Sequence, residues 1–409
     1  MTPEKAQVEG TSRRRESGPG AVQDAGSGPV RILTVVGTRP EAIKMAPVLA
    51  ALAGDDRVDS RLALTGQHTD LVDQVLGAFD LAPDYDLGIM RAGQTLYDVA
   101  HGCLRGLREV VQDFSPAALL VQGDTGSVFY GALVGFFEGV RVGHVEAGLR
   151  SGQKWAPYPE EMFRRLTDVL SDWYFAPTPA ARANLLAEGV EAGVHVTGNT
   201  VVDALQDVAD RLKEPENAVL GRLVDGVRSG DRRLVLMTAH RRESFGEPLR
   251  AVFRAVRDVA DRHPGLEILY PVHPNPNVRE PAEAILSDHP RVHLTDPLGY
   301  LDLVLAMKHA ALVLTDSGGI QEEAPAFGVP VLVLRDVTER PEGVDAGVAR
   351  LVGTDPERIL AGVEAALASG VTAGVNPYGD GRAGRRIADI VTSDLLGATR
   401  RTTDWSGAP

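Results

Sequence analysis

The sequence predicts an α/β protein made of two doubly wound parallel sheets in tandem. Three observations lead there. A chain of 409 residues exceeds one ordinary hydrophobic core, so two domains are expected. From Arg31 onward, short apolar stretches alternate with amphipathic helical ones, the rhythm of parallel sheets with helices on both faces. Polar residues gather where the apolar stretches end, the edge at which open parallel sheets bind ligands, so two such edges facing one another predict an interdomain cleft.

Residues 1–30 are rich in Gly, Ser, Pro and charge, and no apolar segment follows Arg13-Arg14-Arg15. They read as a disordered extension carrying neither a secretory nor a twin-arginine signal. The first unit, 31–205, holds strands at 32–36, 62–64, 119–122, 140–145, 174–176 and 194–196, with helices between them. A long helix and a charged loop mark a seam near 203–231. The second unit, 206–375, restarts the rhythm with strands at 234–237, 268–272, 292–294, 312–314, 331–334 and 350–352. Asn376-Pro377-Tyr378-Gly379-Asp380-Gly381 then breaks the chain, and a last helix within 376–397 is expected to return toward the first domain. Residues 398–409 read as a loose, disordered tail.

Composition narrows the partners. Hydrophobic residues at 44% and charged residues at 24% are those of a soluble globular protein. A net charge of −14 argues against nucleic acid or an anionic membrane as the main partner, so any polyanionic ligand must be met by local basic residues. The single cysteine, Cys103, excludes an intramolecular disulfide and a cysteine zinc cluster and fits a reducing compartment, the cytoplasm. No apolar run reaches the length of a membrane span.

The strand ends carry the chemistry. After the strand at 312–314 comes Thr315-Asp316-Ser317-Gly318-Gly319, leading into a helix. There the unpaired N–H groups favour an anion, and glycine lets the backbone approach a diphosphate. Ser317 could cap this helix or donate its hydroxyl; Glu323, one turn in, suits sugar or ribose hydroxyls. A plain turn with an N-cap is the competing reading. Arg39 precedes Pro40 at a helix start that also carries Lys44, and the two could reach an anion as a fork and a point charge, against a merely solvated basic turn.

Asp124 follows a buried strand and competes with helix capping. Period-two alternation puts His144 and Glu146 on one side of the next strand's end. Glu160 and Glu161 open a proline-started helix, where the dipole alone favours carboxylates. His240-Arg241-Arg242 and Arg340 would supply positive field beside the glycine turn, unless Arg335, Asp336, Glu339 and Arg340 simply pair on the surface. Separated carboxylates near one edge suggest proton transfer or stabilisation of a cationic sugar, and their spacing follows no metal-ligand pattern.

In order and at family spacing from Arg31 to Leu396, these strings resemble the non-hydrolysing UDP-N-acetylglucosamine 2-epimerase family. They include Gly37-Thr38-Arg39-Pro40-Glu41, Gly123-Asp124-Thr125, Pro159-Glu160-Glu161, Thr197-Gly198-Asn199-Thr200, Ser317-Gly318-Gly319 and Thr338-Glu339-Arg340-Pro341-Glu342. The resemblance implies a glycosyltransferase-B-like architecture with the active site between two Rossmann-like domains, usually in a homodimer. It implies interconversion of UDP-GlcNAc and UDP-ManNAc by anti elimination of UDP to 2-acetamidoglucal and re-addition, with no cofactor and no metal.

By the same resemblance Asp124, Glu146 and Glu160 are acid/base residues, and His240 assists the diphosphate or a proton step. Arg39, Lys44, Ser317, Gly318, Gly319, Glu323 and Arg340 contact the nucleotide sugar. Gln67 and His273 match part of an allosteric site for a second UDP-GlcNAc. The chain departs from the family at Gly126-Ser127, where Thr-Thr is common, and at Phe163, where Asn is common. Leu298 and Leu303 stand where Gln and Phe are often found near the uracil. These departures leave open a modified UDP-HexNAc as substrate; a hydrolysing epimerase that releases ManNAc is the other alternative.

Overall fold

The computed structural model describes residues 28–66, 70–89, 91, 93–212, 214–369 and 376–407. The expected extension therefore lies outside the described residues up to position 27, as does Gln67. The first sheet contains β1 (Val30–Val36), β2 (Val58–Leu64), β3 (Tyr85–Asp86), β4 (Ala118–Gln122), β5 (Arg141–Val145), β6 (Trp173–Ala176) and β7 (Val194–Val196). Its order is β3-β2-β1-β4-β5-β6-β7, with all pairings parallel.

The second sheet contains β8 (Arg233–Thr238), β9 (Leu266–Pro271), β10 (Val292–Thr295), β11 (Ala310–Thr315), β12 (Val331–Val333) and β13 (Ala349–Leu351). It runs β10-β9-β8-β11-β12-β13, again parallel throughout. Every expected strand is present. The unexpected one, β3, is a Tyr-Asp dipeptide on the sheet edge and has no apolar run to announce it.

In each sheet the winding reverses between two central strands, β1 and β4 in the first, β8 and β11 in the second. The loops leaving such a pair diverge to opposite faces and open a crevice at the carboxyl ends of the strands. Those loops are the ones that carry Arg39, Asp124, His240 and Ser317.

Helix Arg39–Ala53 starts behind Thr38 with Pro40 in its first turn and buries Met45, Val48 and Leu52. Against it lies the last helix, Ala383–Leu395, whose Ile387 and Val391 are fully buried in the same core, each contributing about 1.5–3 kcal/mol. Gly384 makes the contact possible, since a Cβ there would come within 2.6 Å of the Pro47 backbone.

Residues 398–407, after this helix, are not a loose tail, and the last two positions of the expected 398–409 segment lie outside the described residues. The Trp405 side chain is buried, and its backbone N–H donates to the Val196 carbonyl of β7 at 2.8 Å. Asp389 accepts from the backbone N–H groups of Arg401 at 2.8 Å and Thr402 at 2.7 Å. One indole and one helix carboxylate thus order a stretch whose composition looks disordered. Among the described residues no helix is long and apolar enough to cross a membrane.

Candidate active site

On the second sheet, β11 ends in Thr315, and Asp316 is buried directly beyond it. One Asp316 oxygen accepts from the backbone N–H groups of His240 at 2.7 Å and Arg241 at 2.8 Å, clamping the loop after β8 to the loop after β11. The other lies 3.2 Å from His240 Nδ1. That oxygen takes no hydrogen bond among the described residues, so Asp316 sits beside the imidazole as a buried negative charge while its other oxygen holds the loop that carries His240.

Ser317 makes no side-chain cap to helix Gly318–Glu323, so of its two expected roles the cap is not taken. A Cβ at Gly318 or Gly319 would meet nothing closer than 3.4 Å, so packing does not demand these glycines. What they keep open is space above the exposed N–H groups of the turn.

On the first sheet, Arg39 is the first residue of its helix, and two residues on Glu41 is buried. The Glu41 carboxyl accepts from Gly37 N at 2.6 Å and Thr38 Oγ1 at 2.9 Å, holding the turn that aims Arg39. Burial raises its pKa to about 7, with the Asp124 charge adding to the rise. Lys44 Nζ donates to Glu146 Oε1 at 2.6 Å, and Gln122 Nε2 donates to the other Glu146 oxygen.

Glu146 sits at φ +69°, left-handed backbone in a residue that has a Cβ, and the Phe175 carbonyl holds it there by accepting from the N–H groups of Glu146 and Ala147. Such a conformation costs roughly 1–2 kcal/mol, and residues held in it cluster at functional sites. It also ends the strand's alternation. His144 reaches the same Gly123 at which a Cβ would lie 3.8 Å from Glu146 Oε2. It is fully buried, with Nδ1 2.7 Å from Asp168 Oδ1 and Nε2 2.8 Å from the Gly123 carbonyl.

Asp124 is no cap. Helix Gly126–Phe137 is led by Thr125, and Asp124 pairs with Arg164, whose Nε lies 3.1 Å away. Arg164 Nη1 also donates to Glu161 at 3.0 Å, and that buried carboxylate accepts from Ser151 N at 3.0 Å. Of the two acids opening helix Glu160–Leu170, Glu161 is therefore the structural one, and Glu160 remains half-exposed. The family departures are taken up in packing. Phe163 stacks on Phe129 at 5.4 Å, Ser127 hydrogen-bonds Thr65 at 2.6 Å over Gly37, and Leu298 and Leu303 lie against the core.

The two edges meet. Arg340 does not join the surface pairs: Arg335 takes Glu339 and Glu243, Asp336 takes Arg358, and Arg340 turns inward to the buried Glu322. The other Glu322 oxygen accepts from Asn199 Nδ2 at 3.1 Å, a bond from one sheet's helix to the other's. Thr178 Oγ1 donates to Glu342 at 3.0 Å across the same cleft. Burial would lower the Lys44 ammonium, but Glu146 and Glu322 outweigh it and raise its pKa. Burial first, then Glu322, lifts the Glu323 carboxyl to about 7, with Lys44 and Arg39 opposing. Beside the cleft His240 stacks on His273, ring centroids 5.6 Å apart and planes within 12°.

Glu322, Asn199, Arg164, Asp168 and Gln122 were not singled out from the sequence. Glu322 stands next to Glu323 in the sequence, and its burial beside Arg340 separates the two. No group of three or more His, Cys, Asp or Glu side chains among the described residues is arranged to hold a metal ion.

Two Rossmann-like sheets with their switch-point loops opposed across a charged cleft define a glycosyltransferase-B-like two-domain protein. A profile of the UDP-N-acetylglucosamine 2-epimerase family matches residues 50–392, and the chain belongs to that family. It is 48% identical over 365 residues to a UDP-N-acetylglucosamine 2-epimerase of Yersinia pestis, covering 88% of this chain and 97% of the relative. An Escherichia coli K12 protein of the same name is 46% identical over 378 residues, covering 90% of this chain and 100% of its own. The crystal structure of UDP-GlcNAc 2-epimerase from Neisseria meningitidis bound to UDP-GlcNAc superposes with a TM-score of 0.77 at 41% identity, covering 90% of this chain and 100% of that one.

Proposed function

We propose that this protein interconverts UDP-GlcNAc and UDP-ManNAc by anti elimination of UDP across C1 and C2, retention of 2-acetamidoglucal, and re-addition of UDP with the proton on the other face. The observation that carries this reading is the pairing of two unlike edges on one cleft. Carboxylates Asp124, Glu146 and Glu160 lie on the first sheet's side, and the open glycine turn with Arg340 and His240 lies on the second's. The C2 proton is not acidic, so its removal must accompany departure of the diphosphate and growth of positive charge at C1.

Arg39, Lys44, Arg340 and the turn Ser317-Gly318-Gly319 are the groups that suit the leaving diphosphate, and Glu323 suits the ribose. When the diphosphate arrives, Lys44 turns from Glu146 to the phosphate, and the released carboxylate faces the sugar. His240, on the loop that Asp316 holds, assists the diphosphate or hands on a proton. His273, stacked on His240, and Gln67 are the candidate residues for a second, activating nucleotide sugar.

A modified UDP-HexNAc is the weaker reading, because Phe163 and Ser127, which motivated it, are engaged in packing. The exposed Phe136, Phe137, Leu166 and Val169 on two adjacent helices suit the interface of a homodimer. The buried Cys103 thiol suits the cytoplasm.

Incubation with UDP-GlcNAc in deuterated water, followed at C2 by NMR, tests the proposal. UDP-ManNAc carrying deuterium at C2 is the expected product. Absence of both exchange and epimer at high enzyme concentration sinks the proposal, and net release of free ManNAc turns it to the hydrolysing alternative.

A further inference from the structure

Arg340 turns inward on the second sheet's side of the cleft, and what it turns to is Glu322. Glu322 is 3% exposed and accepts from Arg340 Nε with one oxygen and from Asn199 Nδ2 with the other, at 3.1 Å. Asn199 is itself fixed, because its side-chain oxygen caps helix Thr200–Arg211 by accepting from Val201 N at 3.0 Å. The Arg340 guanidinium is thereby held along one edge. Its Nη1 lies 3.3 Å from the Glu339 carbonyl, and among the described residues no hydrogen bond takes Nη2.

The same carboxylate helps to hold the Lys44 ammonium charged from across the cleft. Tyr378, buried in the segment that carries the chain back to the first unit, closes the arrangement. Its hydroxyl lies 3.4 Å from the Arg340 carbonyl, and its own carbonyl accepts from Asn199 N at 2.7 Å. Glu322 is thus bonded to both halves of the molecule at once, through Arg340 on one side and Asn199 on the other.

We infer that Glu322 is a positioning residue of the nucleotide-sugar site, an internal anion that fixes Arg340 through Nε so that the guanidinium meets an incoming diphosphate already aimed, and that Asn199 is the anchor that fixes Glu322. An arginine has a long, rotamer-rich side chain, and holding it beforehand removes the loss of freedom that binding would otherwise incur. Glutamine there makes the site more positive, but its single amide oxygen cannot accept from both Arg340 and Asn199, so Arg340 is less firmly aimed. The inference requires aim to outweigh raw charge, as bidentate phosphate recognition does.

The inference rests on the UDP-sugar reading of this cleft, and a double-mutant cycle on UDP affinity, measured by calorimetry, separates the two. Glu322→Gln is expected to weaken UDP binding about tenfold, the effect of one lost charge-assisted contact. In an Arg340→Ala background the same change is expected to have no further effect. A full tenfold loss in both backgrounds makes Glu322 merely structural and overturns the inference, as does unchanged or tighter binding in Glu322→Gln alone. If the wild-type protein binds no UDP, the reading of the cleft itself falls and takes the inference with it.

Should Glu322→Gln not fold, Asn199→Ser carries the test, because serine keeps the helix cap and removes only the amide that anchors Glu322. It is expected to weaken UDP binding about threefold, again only when Arg340 is present. Equal losses with and without Arg340 overturn the inference here too.

Discussion

Replacing Glu41 by glutamine changes how stability follows pH, and the size of the change can be worked from its surroundings. Burial lifts the folded carboxyl from an ordinary 4.5 to about 7. A group raised in the fold contributes stability that is fully present below its unfolded pKa and is lost as pH climbs through its folded pKa. Wild type should therefore lose stability between about pH 4.5 and 7 and level off above. The interval is worth about 3 kcal/mol in full, of which about 2.5 kcal/mol falls between pH 5 and 8.5. Glutamine cannot ionise, so the variant lacks this loss. It can still accept from Gly37 N through its amide oxygen.

Urea unfolding is the assay, followed by the buried Trp173 of β6 and Trp405 beside β7, in the unit that holds the Glu41 turn. Asp203, raised by burial to about 6, and Glu323 titrate in both proteins, so the difference between the two curves isolates Glu41. The variant should gain about 2.5 kcal/mol on wild type from pH 5 to pH 8.5. A difference that stays constant across that range refutes the argument, because it means that Glu41 is ionised in the fold throughout.

Two further outcomes concern the chemistry. Asp124→Asn, Glu146→Gln and Glu160→Gln should each lower turnover about a hundredfold or more, with UDP affinity by calorimetry nearly unchanged; normal turnover in any of them removes that residue from the mechanism. Ribose hydroxyls that donate to Glu323 favour its ionised form, so with its pKa at about 7 affinity for UDP-GlcNAc should rise about tenfold from pH 6 to 8, and Glu323→Gln should flatten the profile. A wild-type profile that is flat or falling contradicts the ribose contact.

The strands were legible because buried parallel strands are written as continuous apolar runs, and the polar residues behind them mark the ligand edge. That is why Arg39, Lys44, Asp124, Glu146, His240 and Ser317 could be singled out before any geometry was known. Pairing was not legible. Arg164 meets Asp124 across 40 positions and Asn199 meets Glu322 across 123, and nothing local announces either. Nor was the left-handed turn at Glu146 legible, since alternation describes an extended strand and the strand stops being extended there. Trp405 shows the same limit at the other end of the chain, since one indole finding a pocket beside β7 outweighs ten residues of loop-like composition.

The packing of helix Ala383–Leu395 on helix Arg39–Ala53 has a consequence for biosynthesis. Ile387 and Val391 complete a hydrophobic surface begun by Met45 and Val48, more than three hundred residues earlier. A ribosome adding roughly 5–20 residues each second releases the second sheet's strands while the first sheet's outer helix still lacks its cover. The half synthesised first is thus the half finished last, and a transcript cut a few dozen codons short would leave the second sheet intact while exposing the core of the first.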